Sequence, residues 1–401
     1  MSQNIAARFL RSLQTRGVVP TLRSTRRSLE RRLGFEPAPY AKGNAPLCES
    51  IAAWAAEYPG AHVVEILPPQ TLIRQLPQTI EPNVRSEFTN AQHKKVPAKY
   101  LARLPQAQLV GRDGLLALPT GEYALEWAFA RDLIERHRDY KTAPASHVER
   151  KRGNFYSLLW VHWQNYFHWL HDSMMRLYGV LDRLPADTRF IIPAQLSPAA
   201  TAALDCFGIP QAQRLHFDGQ TTWQVETLHF ASHTKRSSYD LPEEVKWFRQ
   251  RIWQGCGIRG GAHQKRIYVS RRRAKWRRVV NEVEVQQYLA AHGFEVFELE
   301  HLSFREQVAL FSQAEIIVAS HGAGNANLMF APPHARVVEI FSPNYVVNVY
   351  WAICSALGIK YWYLIAEGIP TKQGPSFEDI RVPLEQLQKI ILPLLARAEH
   401  M

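Results

Sequence analysis

The stretch from Ile316 to Phe341 constrains the fold more than any other part of the chain. It places two short, mainly apolar runs, Ile316–Ala319 and Val337–Phe341, on either side of a loop that begins Ser-His-Gly-Ala-Gly. Apolar runs of this length that stop at turn signals are typical of strands buried on both faces of a parallel sheet. Unpaired N–H groups in the loop and at a helix predicted over Asn325–Phe330 would form a cradle for a phosphate or a sugar.

The composition is that of a globular enzyme with an anionic partner. The 401 residues suffice for two or three domains, and the net charge of +12 favours an anionic ligand or surface. The cysteines are scattered without Cys-x-x-Cys spacing, which argues against a disulfide framework or structural zinc and favours a reducing cytoplasm. We recognise neither a signal peptide nor an apolar run of the ~20 residues that a membrane span needs.

Alternating strand and helix patterns predict an α/β protein. The predicted divisions are a basic arm (1–43), an N-terminal domain (44–255), a C-terminal domain (256–380) and a final helix (381–401). In the arm, apolar residues fall at roughly helical spacing among the arginines, so it could lie on an anionic membrane, extend into solvent or pack as a helix on the body.

Other local predictions concern the segments before the C-terminal domain. They are an exposed loop over 88–101, a strand over 157–161 and a helix over 165–184. From residue 266 onward, repeated βα units predict a Rossmann-like, doubly wound sheet, with its ligand beyond the carboxyl ends of the strands.

A basic cluster follows the first predicted strand of that sheet. Around Trp276 it contains Arg271, Arg272, Arg273, Lys275, Arg277 and Arg278. Guanidinium groups at a strand's carboxyl end can fork onto the oxygens of a diphosphate. Alternatively, the cluster could bind a nucleic-acid backbone, with Trp276 stacked on a base, or it could be a merely solvated loop. The βα setting favours a small phosphorylated ligand, since nucleic acid would need a longer basic track.

A second cluster lies on the helix predicted over 165–184. His168 and Asp172 are four residues apart and share one face of a helix, where an imidazole beside a carboxylate can act as a general base. His168, His171 and Asp172 could instead bind a metal ion, although the spacing is not His-Glu-x-x-His. A third interpretation is that His168 and Asp172 satisfy each other in the core. No Asp-x-Asp sequence occurs, so a metal-bound diphosphate held by such a pair is not expected.

Three ordered motifs over about residues 150–345 resemble glycosyltransferase family 61. They are Asn-x-x-His-x-x-x-Asp (Asn165, His168, Asp172), Ser-Arg-Arg…Arg-x-x-x-Asn-Glu (Ser270, Arg271, Arg272, Arg277, Asn281, Glu282) and His-Gly-Ala-Gly…Val-Val-Glu-Ile-Phe (His321 to Phe341). The resemblance implies an inverting enzyme that uses a nucleotide sugar and needs no metal or other cofactor. It also implies the GT-B architecture, in which two Rossmann-like domains face each other across a cleft.

The resemblance also implies roles for individual residues. Asp172 or His168 would be the catalytic base, Arg271 and Arg277 would hold the diphosphate, and Glu339 would reach the ribose. The full set expected at the donor is Arg271, Arg277, Asn281, Ser320, His321, Gly322, Ala323, Gly324, Asn325 and Glu339, with Asn165 and Arg272 elsewhere in the cleft.

The expected partners are a nucleotide sugar, a glycan or lipid-linked acceptor and an anionic membrane surface, but not nucleic acid. Eukaryotic members carry a signal or anchor that we do not recognise here. This difference favours a bacterial-type, cytoplasmic enzyme of capsule or cell-surface polysaccharide synthesis. The alternatives are a nucleic-acid-binding protein and a metal-dependent hydrolase built on His168, His171 and Asp172.

Overall fold

The structure is a computed structural model. It describes residues 46–128, 134, 148–232, 239–259 and 264–396. The basic arm predicted over 1–43 lies outside these residues. Parallel and antiparallel sheets combine with helices, which confirms the predicted α/β class.

The elements are named in chain order. The N-terminal strands are β1 (Leu47–Cys48), β2 (His62–Leu67), β3 (Gln70–Ile73), β4 (His93–Val96), β5 (Lys99–Pro105), β6 (Gln108–Val110), β7 (Leu115–Ala117), β8 (Tyr123–Ala124), β9 (Val148–Ser157), β10 (Arg189–Pro193), β11 (Arg214–Phe217) and β12 (Thr222–Ala231). The C-terminal strands are β13 (Lys265–Val269), β14 (Phe294–Phe297), β15 (Ala314–Ser320), β16 (Arg336–Phe341), β17 (Lys360–Ile365), β18 (Glu367–Ile369) and β19 (Asp379–Arg381). The α-helices are α1 (Ile51–Glu57), α2 (Ser86–Thr89), α3 (Tyr166–His168), α4 (Pro198–Phe207), α5 (Pro242–Gly255), α6 (Glu282–Ala291), α7 (Phe304–Ser312), α8 (Val349–Leu357) and α9 (Leu384–Ala396).

The first sheet is mixed. Among the described residues it has ten strands in the order β1-β8-β7-β6-β12-β9-β10-β11, with β5 pairing both β12 and β2. Strands β12, β9, β10 and β11 run parallel, as in a Rossmann-like sheet, whereas β5 and β6 pair with β12 in the antiparallel sense. The sequence patterns did not predict this antiparallel half.

The second sheet is parallel throughout its five strands in the described segment 264–396. Its order is β14-β13-β15-β16-β17, so β13 and β15 are neighbours although β14 lies between them in sequence. This is a doubly wound order, and its direction reverses between β13 and β15. Ligands in such sheets bind where the order reverses, beyond the carboxyl ends of the two strands. The segments that leave those ends begin at Ser270 and His321.

Strands β15 and β16 agree with the two apolar runs that the sequence predicts. Every residue of β16 is buried, including Glu339, and β15 is buried except for Glu315. Burial on both faces removes the polar alternation of a half-exposed strand, which is why both runs are nearly continuous. The capping box of Ser303 and Glu306 starts α7, which leads into β15.

The helix predicted over 165–184 is much shorter in the structure. Helix α3 continues as a π-helical turn over Trp169–Met174 and a 3-10 turn over Met175–Leu177. Gly179 then has φ +70°, and a Cβ at this position would lie 2.4 Å from a methyl group of Ile66. The close approach to β2 therefore requires glycine, and glycine in this left-handed conformation ends the helix.

Two further local predictions are wrong. The strand predicted over 157–161 lies earlier, because β9 ends at Ser157. The exposed loop predicted over 88–101 instead contains β4 and the start of β5, and Phe88 is fully buried. The Phe88 ring stacks on Tyr363 of β17 with centroids 4.8 Å apart. A single aromatic residue in a basic stretch gives no periodic signal for such a contact.

One of the three buried hydrophobic clusters of the described residues includes residues of both sheets. Leu170 and Met174 belong to the same buried cluster as Phe304 and Leu328 of the C-terminal part. The predicted domain limits and the GT-B arrangement across a cleft stay predictions. Helix α9 packs on the second sheet, since Leu387 and Ile391 are buried in one cluster with Trp362. No helix in the described part of the chain is long and apolar enough to cross a membrane.

Candidate functional site

Arg271 and Arg277 form a basic pair at the point where the second sheet reverses its order. Arg271 follows β13 directly, and its Nη2 and Nε donate to the carbonyl oxygens of Trp276 and Arg277. Arg277 donates from Nε to the carbonyl of His321, 3.3 Å away, and from Nη1 to that of Ser376. Among the described residues neither guanidinium forms an ion pair with a carboxylate. Both are held by neutral carbonyl groups, so their positive charge is available to an anion.

The electrostatics of Arg271 and Arg277 also favour the binding of an anion. Burial and the neighbouring Arg277 lower the pKa of Arg271 to about 10, against the weaker influence of Tyr350, Glu300 and Glu282. A dianionic ligand beside two like charges would relieve their repulsion. Arg277 also lies over the ring of Tyr345, 5.0 Å from its centroid.

Gly322 makes room for Arg271. A Cβ at Gly322 would lie 1.8 Å from Nη1 of Arg271, so any side chain here would displace the guanidinium. The sequence predicts a cradle from the Gly-Ala-Gly loop, and the structure shows that Gly322 serves a neighbouring charged side chain. The segment after it, Ala323–Phe330, is helical, as predicted for Asn325–Phe330, and has the 3-10 form.

The remaining cations of the basic cluster are arranged differently. Arg273 forms an ion pair with Glu298, and the guanidinium of Arg278 donates two hydrogen bonds to Asp379. Arg272, predicted to lie in the cleft, is exposed. The structure thus separates an inner pair, Arg271 and Arg277, from an outer group that is exposed or neutralised by carboxylates.

His321 and Glu339 form a buried pair behind this loop. His321 Nδ1 lies 2.6 Å from Glu339 Oε1, and the same carboxylate accepts from Asn325 Nδ2 and from the hydroxyl of Tyr361. Burial lowers the pKa of His321, and Arg277 and Arg271 lower it further, although Glu339 opposes them. His321 is therefore neutral near pH 7 and donates its Nδ1 proton to Glu339.

Other residues predicted at the donor have mainly structural contacts. Asn281 bonds through both side-chain atoms to the backbone of Val382, and Asn325 also donates to the carbonyl of Ser320. Glu339 is fully buried, and its predicted contact with a ribose stays a prediction. The Ser320 hydroxyl is buried and has no hydrogen-bond partner among the described residues.

The second predicted cluster is a chain of four acid–base groups. His168 Nδ1 lies 2.5 Å from Asp172 Oδ2, and His171 Nδ1 lies 2.7 Å from Asp172 Oδ1. His171 Nε2 lies 2.6 Å from Asp240 Oδ1. The described residues hold no group of three or more His, Cys, Asp or Glu side chains that is arranged to bind a metal ion. The hydrolase alternative therefore gains no support from this cluster.

Asp240 is the functional candidate that sequence reasoning missed. It is buried and lies 69 residues after His171 along the chain. In the sequence Asp240 is simply an acidic residue just before the start of α5, and this position does not indicate contact with a histidine. Only the fold brings it to the imidazole.

The protonation states of this chain follow from its geometry. Burial alone would raise the pKa of Asp172, but hydrogen bonds from His168 and His171 hold it well below its usual value. Asp172 is then ionised and accepts the Nδ1 proton of His168, which leaves Nε2 as the ring nitrogen that can exchange a proton with a substrate. The His168 side chain is 31% exposed, whereas that of Asp172 is 6% exposed. The histidine is thus the member of the pair that can meet a substrate.

Aromatic side chains connect the two clusters. Phe167 stacks on His171 with centroids 4.7 Å apart, and its ring lies 5.4 Å from that of Tyr350. Tyr350 in turn donates from its hydroxyl to the carbonyl of Gly322. Asn165 caps α3 by accepting from the N–H of Phe167, which fixes the start of this segment. The segment of α3 and the π-helical turn after it, here called the histidine helix, therefore packs near the loop around Gly322.

Comparison with known proteins agrees with this arrangement of motifs. Residues 166–338 match glycosyltransferase family 61. The resemblance to family 61 is thereby confirmed over a range that contains His168, Asp172, Arg271, Arg277 and His321. A similar protein is the EGF domain-specific O-linked N-acetylglucosamine transferase of Drosophila melanogaster, which is 31% identical over 99 residues. That similarity spans 24% of this chain and 19% of the fly protein, so the chain matches about a fifth of its relative.

Proposed function

We propose that this protein is an inverting glycosyltransferase that moves a sugar from a nucleotide-sugar donor to a hydroxyl of a glycan or lipid-linked glycan. The observation that carries the proposal is the inner arginine pair, Arg271 and Arg277. Both guanidiniums are held by backbone carbonyls at the reversal point of a doubly wound sheet, where phosphate ligands bind. The family 61 match over residues 166–338 supports glycosyl transfer.

In this proposal His168 is the base and Asp172 positions it. The Nε2 lone pair of His168 accepts the proton of the acceptor hydroxyl while its oxygen attacks the anomeric carbon of the donor. The new carbon–oxygen bond forms on the face opposite the diphosphate, which inverts the configuration. Asp172 stabilises the imidazolium that results, as a buried carboxylate does for a catalytic histidine in other enzymes.

The leaving group is a nucleoside diphosphate. As the bond between the anomeric carbon and the diphosphate oxygen breaks, the electron pair departs with that oxygen and negative charge develops there. Arg271 and Arg277 would stabilise this charge, supported by N–H groups of the loop after Ser320. We propose that this occurs without a metal ion, so transfer should continue in excess EDTA.

His171 and Asp240 are proposed as positioning residues. Both ring nitrogens of His171 face a carboxylate, so the ring holds Asp172 on one side and is itself held by Asp240 on the other. This arrangement restricts the rotation of Asp172, and hence of His168.

The finer features come from the resemblance to family 61. We propose a GT-B arrangement in which the histidine helix belongs to the acceptor side and the second sheet to the donor side. A role in capsule or cell-surface polysaccharide synthesis is part of the same proposal.

Melting temperatures with nucleoside diphosphates and nucleotide sugars test the donor site, because a ligand that binds the native state raises the melting temperature. Arg271→Ala and Arg277→Ala should each cost at least about 2 kcal/mol of transition-state stabilisation and weaken nucleotide binding. Lysine should not fully rescue either position, because it lacks the planar fork.

The matched control for both variants is Arg273→Ala. This arginine belongs to the same loop, but its side chain is 62% exposed and paired with Glu298. It should keep normal nucleotide affinity. Unchanged nucleotide affinity in both inner variants would disprove the donor site, and tight, salt-sensitive binding of an oligonucleotide instead would favour the nucleic-acid alternative.

A further inference from the structure

Cys206 and Cys256 lie together although they are 50 residues apart in sequence, with their Sγ atoms 3.1 Å apart. Cys206 is near the end of α4, and Cys256 follows the end of α5. Both are free thiols. The spacing of the cysteines along the chain does not predict this contact, because it depends on two helix ends that pack together.

The close approach is built into the backbone. A Cβ at Gly255 would lie 1.6 Å from the carbonyl oxygen of Cys206, so glycine is required where the two helix ends meet. Two arginines then hold the ends in place without any covalent bond. Arg251 donates to the carbonyl of Phe207, and Arg305 of α7 donates to that of Gly255, each at 2.9 Å.

The two thiols are unequal. The hydrogen bond from Cys256 lowers the pKa of Cys206 to about 7, and the charge of Arg305 acts in the same direction against burial. Donating this hydrogen bond, together with burial, raises the pKa of Cys256. Cys206 is thus the more nucleophilic sulfur, and Cys256 is the neighbouring thiol that can react with its oxidised form. Cys206 is buried and Cys256 is partly exposed, so an oxidant must be small.

We propose that Cys206 and Cys256 form an oxidisable pair that closes to a disulfide when a small hydroperoxide reaches it. The Cys206 thiolate attacks the peroxide, the oxygen–oxygen bond breaks, and an alkoxide or hydroxide leaves and takes a proton from solvent. Cys206 becomes a sulfenic acid. The sulfur of Cys256 then attacks the sulfur of Cys206, and the sulfenic oxygen leaves as water with the Cys256 proton. The disulfide would join the ends of α4 and α5 and close the chain between them.

The test uses the full-length native protein and does not depend on the proposed transferase activity. The protein is treated with hydrogen peroxide or with a reductant, quenched in acid, denatured and alkylated, and its intact mass and peptides are measured. After peroxide, two of the four cysteines should resist alkylation, the mass should fall by two hydrogens, and a peptide should link Cys206 to Cys256. Dithiothreitol should reverse these changes.

Cys206→Ser and Cys256→Ser should each abolish the linked peptide, whereas Cys354→Ser, which removes a buried thiol outside the pair, should retain it. The oxidised wild type should also melt at a higher temperature than the reduced wild type, since the bond restricts the unfolded chain. This comparison needs no variant. Four alkylatable thiols after peroxide, or oxidation to sulfinic acid with no peptide linking the two positions, would overturn the proposal.

Discussion

Two histidine–carboxylate pairs lie near each other in this molecule and differ in exposure. His321 Nδ1 lies 2.6 Å from Glu339, and His168 Nδ1 lies 2.5 Å from Asp172. The side chains of the first pair are 8% and 0% exposed, whereas 31% of the His168 side chain is exposed. Because the distances are nearly equal, exposure distinguishes a pair that can meet a substrate from one that holds a loop in place.

The surroundings of the two carboxylates reinforce this difference. Glu339 also accepts from Asn325 and Tyr361, so it joins β16 to the loop after β15 and to β17. Asp172 accepts from two histidines, and one of them reaches the surface. The same chemical pair therefore serves stability in one setting and, by our proposal, catalysis in the other. Substitutions in each pair test whether exposure separates their roles.

The largest effect is expected at the exposed pair. His168→Ala removes the proton acceptor and should lower turnover by about 100-fold or more, while nucleotide affinity stays near normal. Asp172→Asn keeps the shape of the pair but loses the charge that orients the ring, so it should also lower turnover. Steady-state kinetics and nucleotide binding measure the two properties separately.

A double variant shows whether the two residues act together. Residues that act as a unit are not additive, so His168→Ala with Asp172→Asn should be little worse than either change alone. If both single variants keep near-normal turnover, the pair is structural and no longer differs in kind from His321 and Glu339.

A substitution in the buried pair of His321 and Glu339 should lower the stability of the folded protein. Glu339→Gln places an amide N–H₂ where the carboxylate accepts three hydrogen bonds, and should lower the free energy of unfolding by about 1–3 kcal/mol. Urea unfolding with and without nucleotide gives this value. A matched change, Glu298→Gln, breaks only the ion pairs of Glu298 with Arg273 and His301 at the surface and should have a much smaller effect. Equal free energies of unfolding for Glu339→Gln and Glu298→Gln would show that burial does not make Glu339 more important for stability than Glu298.

The smallest effect concerns pH. The pKa of His321 is lower in the folded protein than its ordinary value of 6.5, so between these values the unfolded chain binds more protons. The stability contributed by neutral His321 is therefore complete above about pH 6.5 and is lost as the pH falls below it. Asp172 also has a lowered pKa, but its contribution is lost only below about pH 4, the range in which a free aspartate is protonated.

Urea unfolding across this pH range separates the two contributions. His321→Gln should unfold with a weaker pH dependence than the wild type as the pH falls below about 6.5. Asp172→Asn should follow the wild type in that range and deviate only at lower pH. A wild-type curve that is flat from pH 7 to pH 5 would contradict the assignment of a buried neutral histidine.

Apolar runs and helical spacing predicted those parts of the fold whose structure depends on residues close together in sequence. The apolar runs after Ile316 became β15 and β16, and the four-residue spacing brought His168 to Asp172 even though the helix there opens into a π-helical turn. Phe88 shows the opposite case, since its partners are on β17. A residue whose environment comes from another element leaves no periodic signal near it.

Local sequence patterns were enough to predict the α/β class, the arginine loop and the spacing of the histidine motif, because strand burial and helix periodicity act over a few residues. Tertiary packing, by contrast, places Arg271 and Arg277 against backbone carbonyls and Arg273 and Arg278 against carboxylates. It also brought Asp240 to His171 and Cys206 to Cys256, and it enclosed Glu339. These choices depend on contacts between residues far apart in sequence, and a linear pattern does not record which distant backbone will close around a side chain.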